Sequence, residues 1–196
     1  LKLLEEPNSS TYFILTSHHP EKLLSTENIF DGKVIKVDKE TVELPNGKKA
    51  FREIVRHHGA VALIPITDDD KIVMIKQWRE PMRKVTLEIP AGKIEPGEES
   101  DPLQTAIREL NEEARYEAEN IELVTPFYTT PGFSDEEIYL YHASGLKPVS
   151  TELPQDDDEF LELVELTLPE AMSAMKEGLV CDSKTIMGLL FWQLMQ

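Results

Sequence analysis

The segment from Pro102 to Ala114 constrains the fold most, because its charged and apolar residues separate onto two faces of a helix. On a wheel that advances about 100° per residue, Glu112 and Glu113 fall within about 60° of Glu109. The apolar residues collect on the neighbouring face: Leu103, Ala106, Ile107, Leu110 and Ala114. The pattern therefore predicts a helix that packs on a sheet and carries three carboxylates at its edge.

These three carboxylates leave two interpretations open. Like charges within one helical turn repel one another by roughly a few tenths of a kcal/mol per exposed pair. Arg108, four residues before Glu112, relieves part of this repulsion. A divalent cation would relieve more, because Mg²⁺ and Mn²⁺ prefer carboxylate oxygens and keep positions for water and a substrate phosphate. The segment is either a metal site or a solvated acidic helix face with an i,i+4 ion pair.

Charge and composition exclude several classes of protein. The chain has 37 acidic and 20 basic residues, a formal net charge of −17, which opposes non-specific binding to nucleic acid and to anionic lipid. No apolar run approaches the roughly 18 residues that span a membrane. Cys181 is the single cysteine, so an internal disulfide is excluded. We expect a cytoplasmic protein with no nucleic-acid or membrane partner, in which arginines or divalent cations neutralise any phosphorylated substrate.

The first part of the chain, residues 1–57, predicts a small antiparallel β unit after an irregular or weakly extended lead-in of about two dozen residues. The turn pair Asn46-Gly47 separates two of its strands. Strands are predicted at residues 33–37, 41–44 and 50–56. A unit of two or three strands is only marginally stable alone, so we expect it to pack on the main domain or on a second subunit.

The remaining residues, 58–196, predict one α/β domain of the α+β kind. The predicted strands cover residues 60–65, 72–75, 87–90, 121–127, 138–143 and 161–166, and residues 91–97 read as a glycine- and proline-containing loop. A capping box at Thr167 and Glu170 predicts a second helix, and Asp182 predicts the start of a third. Strands mixed with three helices favour an α/β sandwich.

The loop before the first helix and the helix itself together resemble the Nudix box, Gly-x5-Glu-x7-Arg-Glu-U-x-Glu-Glu-x-Gly-U, where U is an aliphatic or aromatic residue. The pattern is filled in order by Gly92, Glu98, Arg108, Glu109, Leu110, Glu112, Glu113 and Tyr116. Two features depart from it. Nine residues rather than seven separate Glu98 from Arg108, and the extra residues precede the expected N-cap, Asp101. Arg115 replaces the box glycine, so we expect a strained residue or a redirected turn there.

The resemblance extends to the ADP-ribose pyrophosphatase subfamily. It rests on residues 51–61, 77–79, 87–92 and 130–136, which read FREIVRHHGAV, QWR, LEIPAG and TPGFSDE. It implies a Nudix α/β/α sandwich with a mixed sheet, preceded by the small N-terminal β unit, which would be exchanged across a homodimer and would help bind substrate. The reaction implied is hydrolysis of ADP-ribose, or a related ADP-sugar, to AMP and ribose 5-phosphate.

The resemblance also implies roles for individual residues. Glu109, Glu112, Glu113 and the Ala91 carbonyl would hold Mg²⁺, with Mn²⁺ as an alternative, and Arg108 would belong to the same catalytic group. The implied substrate contacts are Arg52 and Arg79 on phosphate or ribose, Glu53 on the nucleotide, Phe133 in the pocket wall and Glu136 on the terminal ribose. The alternatives are surface ion pairs for the arginines, a core position for Phe133 and a solvated loop carboxylate for Glu136.

A water nucleophile also needs a base, which in this family is usually a glutamate on a loop after the box. The run Asp156-Asp157-Asp158-Glu159 occupies that place. Asp157 matches the base by register but is one methylene shorter, and Glu159 could replace it; the alternative is a plain acidic loop. Two further functions stay open: a diphosphatase for another nucleoside diphosphate derivative, and a sensor that binds ADP-ribose without cleaving it.

Overall fold

The computed structural model describes residues 19–95, 97, 98, 100–155 and 160–196. Contacts within the chain divide it into two units. One contains the chain up to His57 together with Gly132–Asp135, and the other contains most of the remaining residues.

The N-terminal unit is a three-stranded antiparallel sheet in the order β1-β2-β3. Its strands are β1 (Lys22–Asp31), β2 (Lys36–Glu43) and β3 (Lys49–Arg56). β2 takes in the end of the strand predicted at residues 33–37 and most of the one predicted at 41–44, whereas β1 was not predicted as a strand. All ten residues of β1 are exposed, so the strand depends on backbone pairing with β2 and carries no alternating pattern that sequence could show.

The second unit contains two sheets and, among its described residues, three helices. An antiparallel sheet has the order β10-β5-β6, and a mixed sheet has the order β7-β4-β9-β8, in which β4 and β9 run parallel. The elements are β4 (Ala60–Pro65), β5 (Lys71–Arg79), β6 (Lys84–Glu88), β7 (Ala91–Lys93), α1 (Pro102–Ala114), β8 (Tyr116–Tyr128), β9 (Glu137–Pro148), β10 (Glu162–Thr167), α2 (Leu168–Lys176) and α3 (Ser183–Met195). The expected mixed α+β architecture is confirmed. The residues predicted as a loop after Pro90 instead begin with the short strand β7.

Helix α1 packs on the mixed sheet through the apolar face that its sequence predicts. Ala106, Leu110 and Ala114 are buried in one core with Val61 and Leu63 of β4. Ile107 was expected in this stripe but is 46% exposed, because it lies at the outer edge of the apolar arc. Burial of the apolar face thus fixes which way the neighbouring, carboxylate-bearing face points.

The last two helices start at the predicted caps. The Glu170 carboxylate accepts hydrogen bonds from the backbone N–H of Thr167 at 2.9 Å and from its hydroxyl at 2.7 Å. Asp182 Oδ1 accepts from the backbone N–H of Thr185 at 3.0 Å, as expected for the N-cap of α3. Among the helices in the described residues, none has both the length and the apolarity to span a bilayer.

Candidate active site

Two glutamates of α1 are buried against the backbone of β7. Glu109 and Glu113 are 8% and 2% exposed, although the helical pattern placed them at the rim. The Ala91 backbone N–H donates to Glu113 Oε2 at 2.7 Å. A Cβ atom at Gly92 would lie only 1.8 Å from Glu109 Oε1. Residue 92 must therefore lack a side chain for the Glu109 carboxylate to occupy this position.

Arg108 joins the carboxylates of α1 to the preceding loop. Its Nη1 donates to Glu109 Oε1 at 2.8 Å and to Glu112 Oε2 at 2.7 Å, and its Nη2 donates to Glu98 Oε2 at 3.2 Å. Burial opposes the charge on Arg108, but the hydrogen bonds and charges of these three carboxylates outweigh it and raise the pKa of Arg108 above its ordinary value. The guanidinium therefore stays charged and separates carboxylates that would otherwise repel one another.

The start of α1 differs from the expectation. The Asp101 side chain makes no capping hydrogen bond. Glu98 acts nearby instead, since its Oε2 accepts from the Glu95 N–H at 3.2 Å and from the Thr105 hydroxyl at 2.9 Å. Hydrogen bonding to Arg108 lowers the pKa of Glu98 below its ordinary value, against an opposing contribution from burial. The box glutamate thus fastens the loop to the first turns of the helix.

Arg79, a predicted substrate contact, is held by a carboxylate that sequence reasoning did not identify. Its Nε and Nη2 donate to the two oxygens of Glu88 at 2.8 and 2.7 Å. Glu88 is 1% exposed, so this contact is not the surface ion pair considered as the alternative. The available signal was a lone acidic residue between Leu87 and Ile89 in the apolar segment predicted as a strand at residues 87–90, because a buried charge needs a partner.

The other predicted substrate contacts lie in both units. Arg52 and Glu53 are exposed on β3, and Arg52 pairs with Glu21, as the surface-pair alternative expects. Phe133 is 55% exposed, which rules out a core position. Glu136 is half-buried and accepts a hydrogen bond from the Thr129 hydroxyl at 2.5 Å. The two candidate bases, Asp157 and Glu159, lie outside the described residues.

Two family models match the chain. The NUDIX domain matches residues 56–186, and the nucleoside diphosphate sugar hydrolase N-terminal domain matches residues 21–55. The chain belongs to the Nudix family. Nudix hydrolases generally use divalent metal cations.

Similar proteins include two from Bacillus that align over nearly their full length. The methanol dehydrogenase activator of Bacillus methanolicus is 51% identical over 90% of this chain and 94% of its own. The ADP-ribose pyrophosphatase of Bacillus subtilis (strain 168) is 47% identical over 89% of this chain and 93% of its own. A crystal structure of an ADP compounds hydrolase has a TM-score of 0.78 at 22% identity, covering 89% of this chain and 92% of that one, and supports the fold.

The chemistry of the Nudix box suits a hard divalent cation. Its donors are the carboxylates of Glu109, Glu112 and Glu113, next to the backbone of Ala91, and such oxygen donors are those that Mg²⁺ prefers. As the described side chains are placed, no three acidic, histidine or cysteine residues converge closely enough to hold an ion. Arg108 contacts two of the three glutamates, so a bound cation would share those carboxylates with Arg108 or would draw them away from it.

Arg115, at the position of the box glycine, keeps the backbone conformation that the glycine would adopt. Its φ is 63° and its ψ is 26°, in the left-handed region, and its N–H donates to the Asn111 carbonyl at 3.1 Å. The expected strained residue is therefore observed, and the turn is not redirected. The side chain makes a contact that glycine cannot, because Nη1 donates to the Leu153 carbonyl at 2.6 Å.

Two variants should separate the stabilising hydrogen bond of Arg115 from the strain of its left-handed backbone. Arg115→Ala loses the hydrogen bond to Leu153 and keeps the left-handed strain, so its free energy of unfolding should fall by about 1 kcal/mol. Arg115→Gly also loses the hydrogen bond but relieves the backbone strain. Its free energy of unfolding should therefore be about 1 kcal/mol higher than that of the alanine variant. Urea denaturation measures both. Equal stabilities for the two variants would contradict a left-handed residue 115.

Gly92→Ala should displace the Glu109 carboxylate without unfolding the protein. The added Cβ conflicts with a side chain rather than with backbone, so the helix can stay while the carboxylate moves. If Glu109 is one of the cation ligands that the Nudix box implies, kcat should fall by about 10- to 100-fold, the usual effect of misorienting a metal ligand. Gly132→Ala is the control, because nothing lies within 4 Å of its Cβ. Similar rates for both variants would show that the position of Glu109 does not matter.

Proposed function

We propose that the protein hydrolyses the diphosphate bond of ADP-ribose, or of a related ADP-sugar, to AMP and ribose 5-phosphate in a Mg²⁺-dependent reaction, with Mn²⁺ as an alternative cation. The observation that carries the proposal is the 47% identity to a protein named ADP-ribose pyrophosphatase over 89% of this chain. The buried carboxylates of α1 and the nucleoside diphosphate sugar hydrolase N-terminal match support it.

Glu109, Glu112, Glu113 and the Ala91 carbonyl would hold the cation. When bound, it would neutralise charge on the diphosphate and orient the attacking water. Arg108 positions the carboxylates of Glu109 and Glu112 by hydrogen bonding to both, and the Ala91 N–H positions the carboxylate of Glu113. The water oxygen attacks one phosphorus, the bond from that phosphorus to the bridging oxygen breaks, and the water gives its proton to a base.

The base in this proposal is Asp157 or Glu159, supported by their place in the acidic run after the box. If one of them accepts the proton, its amide variant, Asp157→Asn or Glu159→Gln, should lose about 100-fold or more in kcat, because an amide cannot take up a proton at working pH. The other amide variant serves as the matched control. Two near-wild-type rates would remove both residues from the mechanism.

The proposal also includes substrate contacts in each of the two units. Arg52 and Glu53 on β3, with Phe133, Arg79 and Glu136, would contact the nucleotide and ribose groups. We also propose a homodimer, supported by large apolar side chains left open on the N-terminal sheet: Ile29 at 56%, Phe30 at 53% and Phe51 at 65% exposure. The single cysteine supports a cytoplasmic location.

The central test measures ADP-ribose turnover with and without Mg²⁺, with products separated by chromatography and molecular mass determined by light scattering. Glu113→Gln should lower kcat by at least about 100-fold, more than changes to residues that only support metal ligands. Glu117→Gln, an exposed carboxylate on β8 beyond the helix, is the matched control and should retain activity. Metal-independent turnover, or an active Glu113→Gln variant, would contradict the proposal.

Other outcomes favour other functions. Binding of ADP-ribose without turnover would indicate a sensor, and neither binding nor turnover would indicate another nucleoside diphosphate derivative. The 51% identity to a methanol dehydrogenase activator supports a second candidate, action on a dehydrogenase. Stimulation of a purified methanol dehydrogenase by this protein, lost in Glu113→Gln, would show that such an action uses the same carboxylates.

A further inference from the structure

A buried cluster of four polar side chains surrounds Glu88 in the second unit. Glu88 accepts hydrogen bonds from Arg79 at 2.8 and 2.7 Å, from the Thr86 hydroxyl at 2.6 Å and from Lys184 of α3. Lys184 also donates to Asp182 at 3.0 Å. Burial alone would raise the pKa of Glu88, but Arg79 and Lys184 lower it to about 2. The carboxylate is therefore charged at neutral pH.

The geometry of the pair leaves part of the Arg79 guanidinium available. Glu88 engages one edge through Nε and Nη2, whereas an arginine has five N–H donors. Nη1 donates no hydrogen bond to any side chain or backbone group in the described residues, and the side chain is 38% exposed. The charge of Glu113 contributes to raising the pKa of Arg79. Arg79 as a whole therefore lies close enough to Glu113 of α1 for their charges to interact.

Glu88 is also the first of four consecutive residues that each hydrogen-bond another element of the second unit. The Ile89 N–H donates to the Thr185 hydroxyl of α3 at 3.1 Å, the Pro90 carbonyl accepts from Leu63 at 2.9 Å, and the Ala91 N–H donates to Glu113 at 2.7 Å. Each residue has its own partner, so the Ala91 contact that holds Glu113 does not pass through the Glu88 side chain.

We propose that Glu88 is a positioning residue: it holds the Arg79 guanidinium with its outward N–H groups directed at the substrate diphosphate, and Lys184 supplies the second cation that lets a carboxylate serve this purpose when buried. The proposal rests on the proposed function, because it assigns the orientation of a phosphate contact. It explains why a buried strand carries a glutamate at all, since an apolar residue would fill the space without orienting Arg79.

The test compares Glu88→Gln with wild type in ADP-ribose turnover and in ADP binding by calorimetry. We expect KM, and the Kd for ADP, to rise about tenfold while kcat changes less than about threefold, because the arginine loses its fixed position and the carboxylates of α1 do not. A merely structural role would reduce the folded fraction, and with it the apparent kcat, at unchanged KM. Glu162→Gln, which removes the exposed partner of Lys76, is the matched control and should leave both constants unchanged.

A double-mutant cycle with Arg79→Lys makes the proposal sharper. If Glu88 acts through Arg79, adding Glu88→Gln to Arg79→Lys should raise KM by less than about twofold more, whereas two tenfold effects that multiply would overturn the proposal. If Glu88→Gln does not fold, Thr86→Val replaces it, because it removes only one hydrogen bond from Glu88; an unchanged KM and Kd in that variant would also overturn the proposal.

The two proposals can fail separately. If wild type does not hydrolyse ADP-ribose, the proposed function fails, and a tenfold rise in the Kd for ADP in Glu88→Gln would still support the positioning role. If wild type hydrolyses ADP-ribose and Glu88→Gln leaves KM and Kd unchanged, only the positioning role fails. Wild type that neither binds ADP nor cleaves ADP-ribose would overturn both.

Discussion

The contact between the backbone of Ala91 and Gly92 and the carboxylates of α1 is the interaction on which the site depends. One carboxylate takes a backbone N–H and the other occupies the space that a side chain at Gly92 would fill. β7 pairs with the fully buried strand β4. The positions of these carboxylates are therefore set by the core of the sheet and not by the loop before the helix. Extra residues in that loop can therefore be accommodated while the helix keeps its rotation.

Charge sets a second constraint. Arg108 compensates only part of the charge of Glu98, Glu109 and Glu112, in a chain whose formal net charge is −17. A diphosphate brought to this face would meet repulsion from the helix as well as from the rest of the surface. A divalent cation bound by these carboxylates would remove the local part of that repulsion. The carboxylates therefore disfavour the diphosphate without a cation and favour its binding with one.

The parts of the fold predicted from sequence are those with local causes. The helix over residues 102–114 follows from a spacing of apolar residues, and the starts of α2 and α3 follow from side chains that bond backbone within three residues. β1 was not predicted as a strand, because its pairing with β2 leaves every side chain exposed. The motif predicted which residues of the chain form the site. It did not predict that Glu109 and Glu113 are buried, because their burial depends on the position of β7 beside the helix.

Arg108 and Arg79 show the same distinction between local and long-range causes. The carboxylates that bind Arg108 all lie within ten residues of it in the chain, so their grouping follows from a loop and a helical turn. The carboxylate that binds Arg79 is kept charged by Lys184, which lies 96 residues beyond Glu88. A helix pattern can encode the first arrangement but not the second, which exists only when α3 packs beside β6. The group that would hold the cation is thus locally encoded, whereas the proposed orientation of Arg79 toward the substrate depends on the complete fold of the second unit.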